Sequence, residues 1–132
     1  MKKKIYKYNI FAILLFSCTN TELNVSVPAN IDFGIMQYGD KVKREAVVKN
    51  LSPKDITIDY IATTCDCYIA KAREMLVKAG DSTIVDITYH ATETGYIERV
   101  LPIHFIGYNT TVNIIIKGRV KLLYNGIITT IE

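Results

Sequence analysis

The sequence predicts an all-β domain, an antiparallel β-sandwich of about seven short strands, and three observations support this. Ile, Val, Thr and Tyr are abundant while Trp is absent, and β-branched and aromatic side chains favour strands. Apolar and polar residues alternate over short runs, with no sustained period near 3.6. Turn residues separate these runs at intervals of roughly 8 to 12 residues, which is typical of sandwiches. The 132 residues, of which 49% are hydrophobic and 22% charged, suffice for one domain with one core.

The predicted strands begin near Ile31 and continue to the C-terminus. "IDFGIM" ends before the turn "YGD", and "VKREAVVKN" alternates up to the turn "LSPKD". "ITIDYIA" places Ile56, Ile58 and Tyr60 on one face of a strand. "CYIAKA", "STIVDITYH", "YIERVLPIHFI" and "TTVNIIIKGRV" supply the remaining strands. "YIERVLPIHFI" contains Pro102, which is expected at a sheet edge or at a bulge.

Two segments need a separate interpretation. "AKAREMLVKAG" contains good helix formers but is short. We interpret it as a strand end followed by an irregular crossover or one helical turn. In "VKLLYNGIITTIE", two apolar runs flank Asn125 and Gly126, the pair that favours a type I′ turn. Residues 121–132 are therefore predicted to form a C-terminal hairpin that extends the sandwich.

The N-terminus is organised like an export signal. Basic "MKKKIYK" precedes the apolar run "IFAILLF", which is followed by "SC". This run is far shorter than the roughly 20 apolar residues that a membrane-spanning helix needs. "LFSC" resembles a bacterial lipobox, which implies that residues 1–17 are removed and that Cys18 carries a diacylglycerol, with palmitate as a further acyl group. The alternative is an ordinary secretory signal, although no A-x-A-like cleavage site follows the apolar run.

The next segment is a predicted tether. Residues 18–30 contain "TNTELNVSVPAN", which is polar and has few large apolar side chains. Such segments let a folded domain stand away from a membrane surface. The folded domain is then assigned to residues 31–120. Thr19, rather than an Asp, follows the modified cysteine, and by resemblance to some lipoprotein sorting systems this indicates the outer membrane of a bacterial envelope.

Charge and motifs argue against a nucleic-acid partner and against an enzyme. Four of the 16 basic residues lie within the first seven positions, and the remaining twelve face 13 acidic residues. A nearly neutral domain lacks the basic face that phosphate binding requires. The sequence contains no G-x-S-x-G elbow, no H-E-x-x-H, no phosphate-binding glycine loop and no Cys-X-X-Cys. Neither a small-molecule substrate nor a required cofactor is evident.

The order of the motifs resembles that of a known family. "IDFGIMQYGDKV", "VVKNLSPKDITIDYIATTCDC", "VKAGDSTIVDITY", "GYIERVLPIHF" and "IKGRV" are similar to a family of bacterial immunoglobulin-like lipoprotein domains of unknown function that is abundant in the Bacteroidetes. The family pattern contains D-F-G, C-G-C, a P-G-[DE] turn and a closing G-x-V. This sequence departs from it at Asp66, where the family has Gly, and at Ala79, where it has Pro. The resemblance covers residues 31–120 and implies an immunoglobulin-like sandwich.

Cys65 and Cys67 lie one residue apart in "ATTCDCYIA". In an extended strand the Cα atoms of residues i and i+2 are about 7 Å apart, at the outer limit for a disulfide, and a tight bend would shorten that distance. The family resemblance implies such a bend, because the family's central Gly tolerates positive φ and Asp is among the few residues that can replace it. A ring this small would be reduced easily.

Three interpretations of the two thiols stay open. In the first they are structural, either as small buried side chains or as a local disulfide. In the second they bind a soft metal such as copper(I) or zinc, with His90 and His104 as the only histidines on offer. In the third they exchange thiols with a partner, although "TTCDCYI" has no basic residue to favour a thiolate.

The sequence therefore predicts a non-enzymatic lipoprotein that is anchored in the membrane through Cys18. Its immunoglobulin-like domain is expected to act as an interaction or structural module and to bind an unidentified envelope protein. The binding modes considered are strand addition at an exposed sheet edge and contact through loops at one end of the sandwich. The rival prediction is a copper- or thiol-handling envelope protein that works through Cys65 and Cys67.

Overall fold

The computed structural model describes residues 22–124 and 127–129, and all the regular structure in them is β-strand. The predicted signal peptide, Cys18 and the predicted turn at Asn125 and Gly126 lie outside the described residues. In the part described, no helix has the length and hydropathy needed to cross a membrane. The strands of these residues are β1 (Val25–Ser26), β2 (Asn30–Gln37), β3 (Lys41–Asn50), β4 (Ile56–Ile61), β5 (Tyr68–Ala72), β6 (Leu76–Val77), β7 (Ser82–His90), β8 (Gly95–Phe105), β9 (Thr111–Tyr124) and β10 (Ile127–Thr129).

The strands form two sheets that pack around one core, so the predicted sandwich is confirmed. The four-stranded sheet has the order β1-β3-β7-β5, and the larger sheet has the order β10-β9-β8-β4-β6. β2 joins the larger sheet by pairing with β9 in parallel, whereas the other described pairings are antiparallel. Ile127 pairs with Tyr124, as in the predicted hairpin. β1 lies inside the segment assigned to the tether.

The core follows from strict alternation along the strands. In β7, buried and half-buried residues alternate from Thr83 to His90, so that every second side chain enters the core. β8 and β9 do the same from the opposite sheet. Burial of large apolar side chains from both sheets is the main favourable term in folding. The largest of these fully buried side chains are Tyr89, Phe33, Phe105, Ile58, Ile87, Ile97, Leu101, Ile103, Ile114 and Ile116.

A bulge in β2 explains the D-F-G motif. The register with β9 shifts between Asp32 and Ile35, and Gly34 adopts a φ of 72°, which favours glycine. The Gly34 N–H donates to Asp32 Oδ1 over 2.8 Å. The extra residue lets both Phe33 and Met36 face the core, although they are three positions apart.

A second bulge changes the predicted face of Tyr60. The sequence placed Tyr60 on the same face as Ile56 and Ile58, but the register between β4 and β8 shifts between Ile58 and Tyr60. Ile56 and Ile58 are therefore buried, whereas Tyr60 is 50% exposed on the outer face. This part of the strand prediction was wrong because alternation cannot continue through a bulge.

Pro102 lies in β8, which is a central strand rather than an edge strand. Its carbonyl accepts a hydrogen bond from the Ala62 N–H at 2.9 Å, and Ala62 lies just beyond the end of β4. Because the N and C=O of one strand residue point to the same side, the missing N–H faces that strand end and not β9. Pro102 is thus tolerated without loss of a bond to β9, and the expected edge or bulge position was wrong.

Asn50 is fully buried at the end of β3 and connects several segments. Its side-chain amide donates to the carbonyls of Lys54 at 2.7 Å and of Val77 in β6 at 3.0 Å. Its Oδ1 accepts from the Ser52 N–H and hydroxyl. Its main chain pairs with the turn before β7, because Asn50 N–H donates to Asp81 O and Gly80 N–H donates to Asn50 O. Every polar group of this buried side chain is therefore satisfied.

Replacing Asn50 by Asp should lower the free energy of unfolding by about 2 to 5 kcal/mol. The carboxylate keeps the shape of the side chain but donates no hydrogen bond to Lys54 O and Val77 O, which are then left without that donor. Urea denaturation at pH 7 measures the loss, with the exposed Asn109→Asp as the matched control. Equal stability of the two variants would contradict the role given to the amide.

Tyr89 combines full burial with an unmatched hydroxyl. Among the described residues, its Oη is the buried side-chain polar atom without a hydrogen-bond partner. The ring lies 5.8 Å from that of Phe33, which accounts for its place in the core. Burial raises the pKa of Tyr89, Arg99 opposes this rise, and Glu93 adds to it.

Tyr89→Phe should raise the stability at pH 7 by about 1 kcal/mol, because a buried hydroxyl without a partner is removed. The gain should grow above pH ~10. There the unfolded wild type loses the phenolic proton while the folded state, with its raised pKa, keeps it, so wild-type stability falls as pH rises. Denaturation at pH 7 and pH ~10.5 measures the difference. Tyr38→Phe, at an exposed site, is the control at pH 7, and a destabilised Tyr89→Phe would refute the account.

Candidate interaction site

The segment that holds Cys65 and Cys67 carries the chain from one sheet to the other. It follows β4 of the larger sheet and leads into β5 of the four-stranded sheet. The chain bends there, and a disulfide joins the two cysteines, whose Cα atoms are 5.3 Å apart. That separation lies within the range found for disulfides. Cys67 is buried, whereas Cys65 is half-buried. The structure thus brings the two predicted site residues together.

Hydrogen bonds attach this crossing to both sheets. The hydroxyl of buried Tyr68 donates to Val100 O in β8 at 2.8 Å. The same hydroxyl accepts from the Thr64 N–H at 3.2 Å. On the other sheet, the His90 N–H donates to Cys67 O at 2.7 Å. The side chain of Tyr68, the first residue of β5, is therefore bound to the larger sheet, and the main chain of the preceding Cys67 is bound to the four-stranded sheet.

The two histidines do not complete a metal site with the cysteines. His90 ends β7, and its main-chain N–H donates to Cys67 O in the cysteine turn. His104 lies in β8, where its ring stacks on Tyr60 at 4.9 Å and its Nδ1 lies 3.2 Å from Asp59 Oδ2. Within residues 22–124 and 127–129, no group of three or more His, Cys, Asp or Glu is placed to hold a metal ion. The geometry gives the copper- or thiol-handling prediction no support.

β5 forms one edge of the four-stranded sheet, and its register shows which main-chain groups face outward. Arg73 N–H donates to Ile84 O, and His90 N–H donates to Cys67 O. In an antiparallel ladder, hydrogen-bonded pairs recur every second residue. Ile69 and Lys71 therefore bond to β7, as Cys67 and Arg73 do. The N–H and C=O groups of the alternate residues point away from the sheet, and these are Tyr68, Ala70 and Ala72.

The outer face beside this edge is charged and largely paired. Arg73 donates to both carboxylate oxygens of Asp86, at 2.8 and 2.9 Å, and contacts Glu45 at 2.6 Å. The hydrogen bond from Arg73 holds the pKa of Asp86 below its usual range. Lys71 lies opposite Asp86 in the ladder, yet the ion pairs found among the described residues do not include Lys71. Ile69, two residues earlier, is 70% exposed.

Two crossings of the chain frame the open edge. The cysteine turn lies before β5, and the chain leaves β5 toward β6 of the larger sheet. In that second crossing, Met75 O accepts a hydrogen bond from the Ile58 N–H in β4 at 2.8 Å. Between the crossings, Ala70 of β5 and Ile61 of β4 are half-buried residues that pack against the core. We call the stretch Tyr68–Ala72, with its unpaired outer main chain, the β5 edge.

Sequence reasoning found the cysteine turn but not the β5 edge. "CYIAKA" predicted the strand, yet the strand's own residues do not show which neighbours it has. The sequence also does not distinguish buried from exposed tyrosines, because each can serve as a core or a surface residue. The structure buries Tyr68 and Tyr89 and exposes Tyr38, Tyr60 and Tyr96. The signal for the edge was indirect. When the chain crosses to the other sheet both before and after a short strand, the strands that precede and follow it in sequence cannot pair with it.

The sequence also matches a known domain family. Residues 23–119 match the family described as HYDIN/CFA65/VesB-like, Ig-like domain. The comparison with curated proteins found no match. The family match does not address the narrower resemblance to C-G-C lipoprotein domains or the lipobox at Cys18, which stay predictions.

Several solved structures are similar in fold. A protein of unknown function from Porphyromonas gingivalis W83 has a TM-score of 0.64 at 17% identity, over 72% of this chain and 46% of its own. The secreted serine protease VesC from Vibrio cholerae gives 0.58 at 17% identity, over 76% and 24%. The ASH/PapD-like domain 7 of human CEP192 gives 0.59 at 12% identity, over 79% and 91%. The chain spans under half of the first protein and about a quarter of the second, and at these identities the likeness shows the fold alone.

Replacing both Cys65 and Cys67 by Ser should leave the fold intact and lower its stability by about 1 to 2 kcal/mol. The loss is small because the disulfide closes a very short loop. Urea denaturation with and without dithiothreitol measures it. Reductant should destabilise the wild type to the level of the double variant and should not affect the variant. Unfolding of the variant, or no effect of reductant on the wild type, would contradict a local structural role.

Proposed function

The chain belongs to the HYDIN/CFA65/VesB-like family of Ig-like domains, and we propose that it is a non-enzymatic interaction module anchored to the bacterial envelope. The β5 edge is the observation that carries this proposal. Three of its residues direct main-chain donors and acceptors away from the sheet, and such an edge can bind a further strand. An Ig-like sandwich supplies a rigid frame for that edge.

The absence of catalytic chemistry is part of the proposal. The sequence lacks the catalytic motifs considered above, and the described ion pairs lie on exposed or half-exposed surfaces. VesC is a secreted serine protease, but this chain covers only 24% of VesC. We therefore do not carry protease activity over to this chain.

The anchor is proposed from the N-terminal sequence. Basic residues, a short apolar run and Cys18 stand in the order that lipid attachment requires. One acyl chain binds membranes only marginally, so several acyl chains on one N-terminal cysteine are needed for stable attachment. The family match begins at residue 23, which leaves a short polar segment after Cys18. Thr19 supports placement in the outer membrane, where the partner would be an envelope protein.

The proposal is tested with the full chain in a Gram-negative host, carrying a photo-crosslinking residue in place of Ile69. We expect the protein to take up an alkyne-labelled palmitate, to fractionate with outer membranes and to crosslink to an envelope protein. Cys18→Ala should abolish the lipid label, because it removes the thiol that accepts the lipid, and should strongly reduce the crosslink. Label detection, membrane fractionation and immunoblots of the crosslinked product measure these three outcomes.

Two controls make the result specific. Cys65→Ser should keep the lipid label, since it changes a cysteine that is not the lipid acceptor. The crosslinking residue in place of Val47, which is 51% exposed on the same sheet but away from the β5 edge, should give no product. Lipid label on Cys18→Ala would refute the anchor, and equal crosslinking from positions 69 and 47 would refute a specific interaction.

A further inference from the structure

We propose that the β5 edge binds an extended segment of a partner protein, which adds as a fifth strand to the four-stranded sheet and places an acidic side chain opposite Lys71. This inference rests on the interaction function proposed above and names its ligand class. It depends on three observations: the direction of the main-chain groups, the length of the edge, and the side chains beside it.

The main chain of the edge is arranged for pairing. Tyr68, Ala70 and Ala72 each direct an N–H and a C=O away from β7, at the spacing of an antiparallel or parallel partner strand. The side chains of the same residues face inward, where Tyr68 and Ala72 are buried and Ala70 is half-buried. A partner strand can therefore approach the outward groups without displacing a large side chain.

The length of the edge favours a single extended chain over a second folded copy. β5 has five residues, which span roughly 17 Å in an extended strand. The cysteine turn and the crossing at Met75 connect the two sheets at its two ends. A second sandwich that docked here would bring its own connections between sheets against the cysteine turn and the crossing at Met75, whereas a single peptide strand fits between the two. The occupant is thus a flexible or extended segment that pairs over about five residues.

Lys71 and Ile69 define the chemistry of that segment. Both side chains lie on the outer face, and both are exposed. Asp86 lies opposite Lys71 in the ladder. Both of its carboxylate oxygens already accept hydrogen bonds from Arg73. The Lys71 ammonium is thus available for a carboxylate from the next strand. Because cross-strand neighbours on one face are spaced by two residues, the segment should present an acidic residue and, two positions away, an apolar one beside Ile69.

The other edges of the described sheets suit a partner strand less well. β1 and β6 each have two residues, and β10 has three. β2 is longer, but its ladder is broken by the bulge between Asp32 and Ile35, and bulges interrupt strand pairing. β3 has no partner in β1 before Lys49, but along that side its Arg44 side chain donates to Phe33 O in β2. Of the strands at the ends of the two sheet orders, β5 offers five residues in unbroken register.

The first experiment uses the full chain, purified in detergent and labelled with ¹⁵N. The probe is a synthetic peptide of alternating valine and threonine that carries one glutamate two positions from a valine. Without peptide, the amides of Ile69 and Lys71 should exchange slowly with deuterated solvent, and those of Ala70 and Ala72 should exchange fast. Saturating peptide should slow the exchange of Ala70 and Ala72 at least tenfold. Protection confined to another surface would overturn the proposal.

Two variants test the mechanism. Ala70→Pro removes an outward N–H while leaving the bonds from β5 to β7 in place, and proline is accepted at sheet edges; it should weaken peptide binding more than tenfold. Lys71→Glu should weaken binding of the glutamate peptide about threefold to fivefold, the effect of a surface ion pair. A peptide with lysine in place of glutamate should show the opposite preference. Calorimetry measures both sets of affinities.

Three further measurements separate strand addition from other ways of binding. A peptide whose alternate amides are N-methylated should not bind, and if it binds as well as the parent, main-chain pairing is refuted even where Ala70→Pro does not fold. Self-association of the protein that Ala70→Pro abolishes would replace the peptide by a second copy and overturn the proposal. If the crosslink from position 69 in cells persists in Ala70→Pro and in Lys71→Glu, strand addition fails, whereas the interaction function stands.

Discussion

The buried amide of Asn50 is the interaction on which the arrangement of the two sheets depends. It ends β3 in the four-stranded sheet and donates to the carbonyl of Val77 in the larger sheet. It also shapes the turn into β4 through Lys54 and Ser52. A buried network of this kind stabilises only when each member has a partner, and here each has one. The side chain therefore fixes where two strands of opposite sheets lie relative to each other.

The β5 edge follows from where the strands before and after it lie. β6 pairs with β4 in the larger sheet, and the Asn50 amide binds Val77 of β6 from the end of β3. The chain therefore leaves the four-stranded sheet directly after β5. β6, the next strand along the chain, therefore cannot pair with β5, and β7 pairs with β5 along one side only. On the preceding side, the cysteine turn brings the chain from β4 and ends at Tyr68. The placement of β4 and β6 in the larger sheet thus leaves main-chain groups of β5 unpaired.

Local patterns in the sequence predicted the features that depend on neighbouring residues. Alternation gave most strands, and Asn125 with Gly126 gave the hairpin whose strands pair from Tyr124 to Ile127. The features that these local patterns missed depend on residues far apart in the chain. The parallel pairing of β2 with β9 is one example, and the outward face of Tyr60, set by a bulge against β8, is another. For the candidate site, the spacing placed the two cysteines at the limit for a disulfide and the family resemblance implied the bend that shortens the distance, but the open side of β5 required knowledge of every strand in its sheet.

An open sheet edge invites aggregation unless the structure limits what can pair with it. Here the limit comes from features that also select a ligand. The edge is short, Lys71 adds a charge to it, and a crossing connects the sheets at each end. Long, flat and uncharged strands are thereby disfavoured, while a brief acidic segment meets no such obstacle. Tyr68 adds rigidity at the start of the edge, because its hydroxyl is bound to Val100 O in the opposite sheet. An edge that is pre-ordered in this way loses little conformational entropy on binding, so protection against aggregation and selectivity for one kind of strand arise from the same residues.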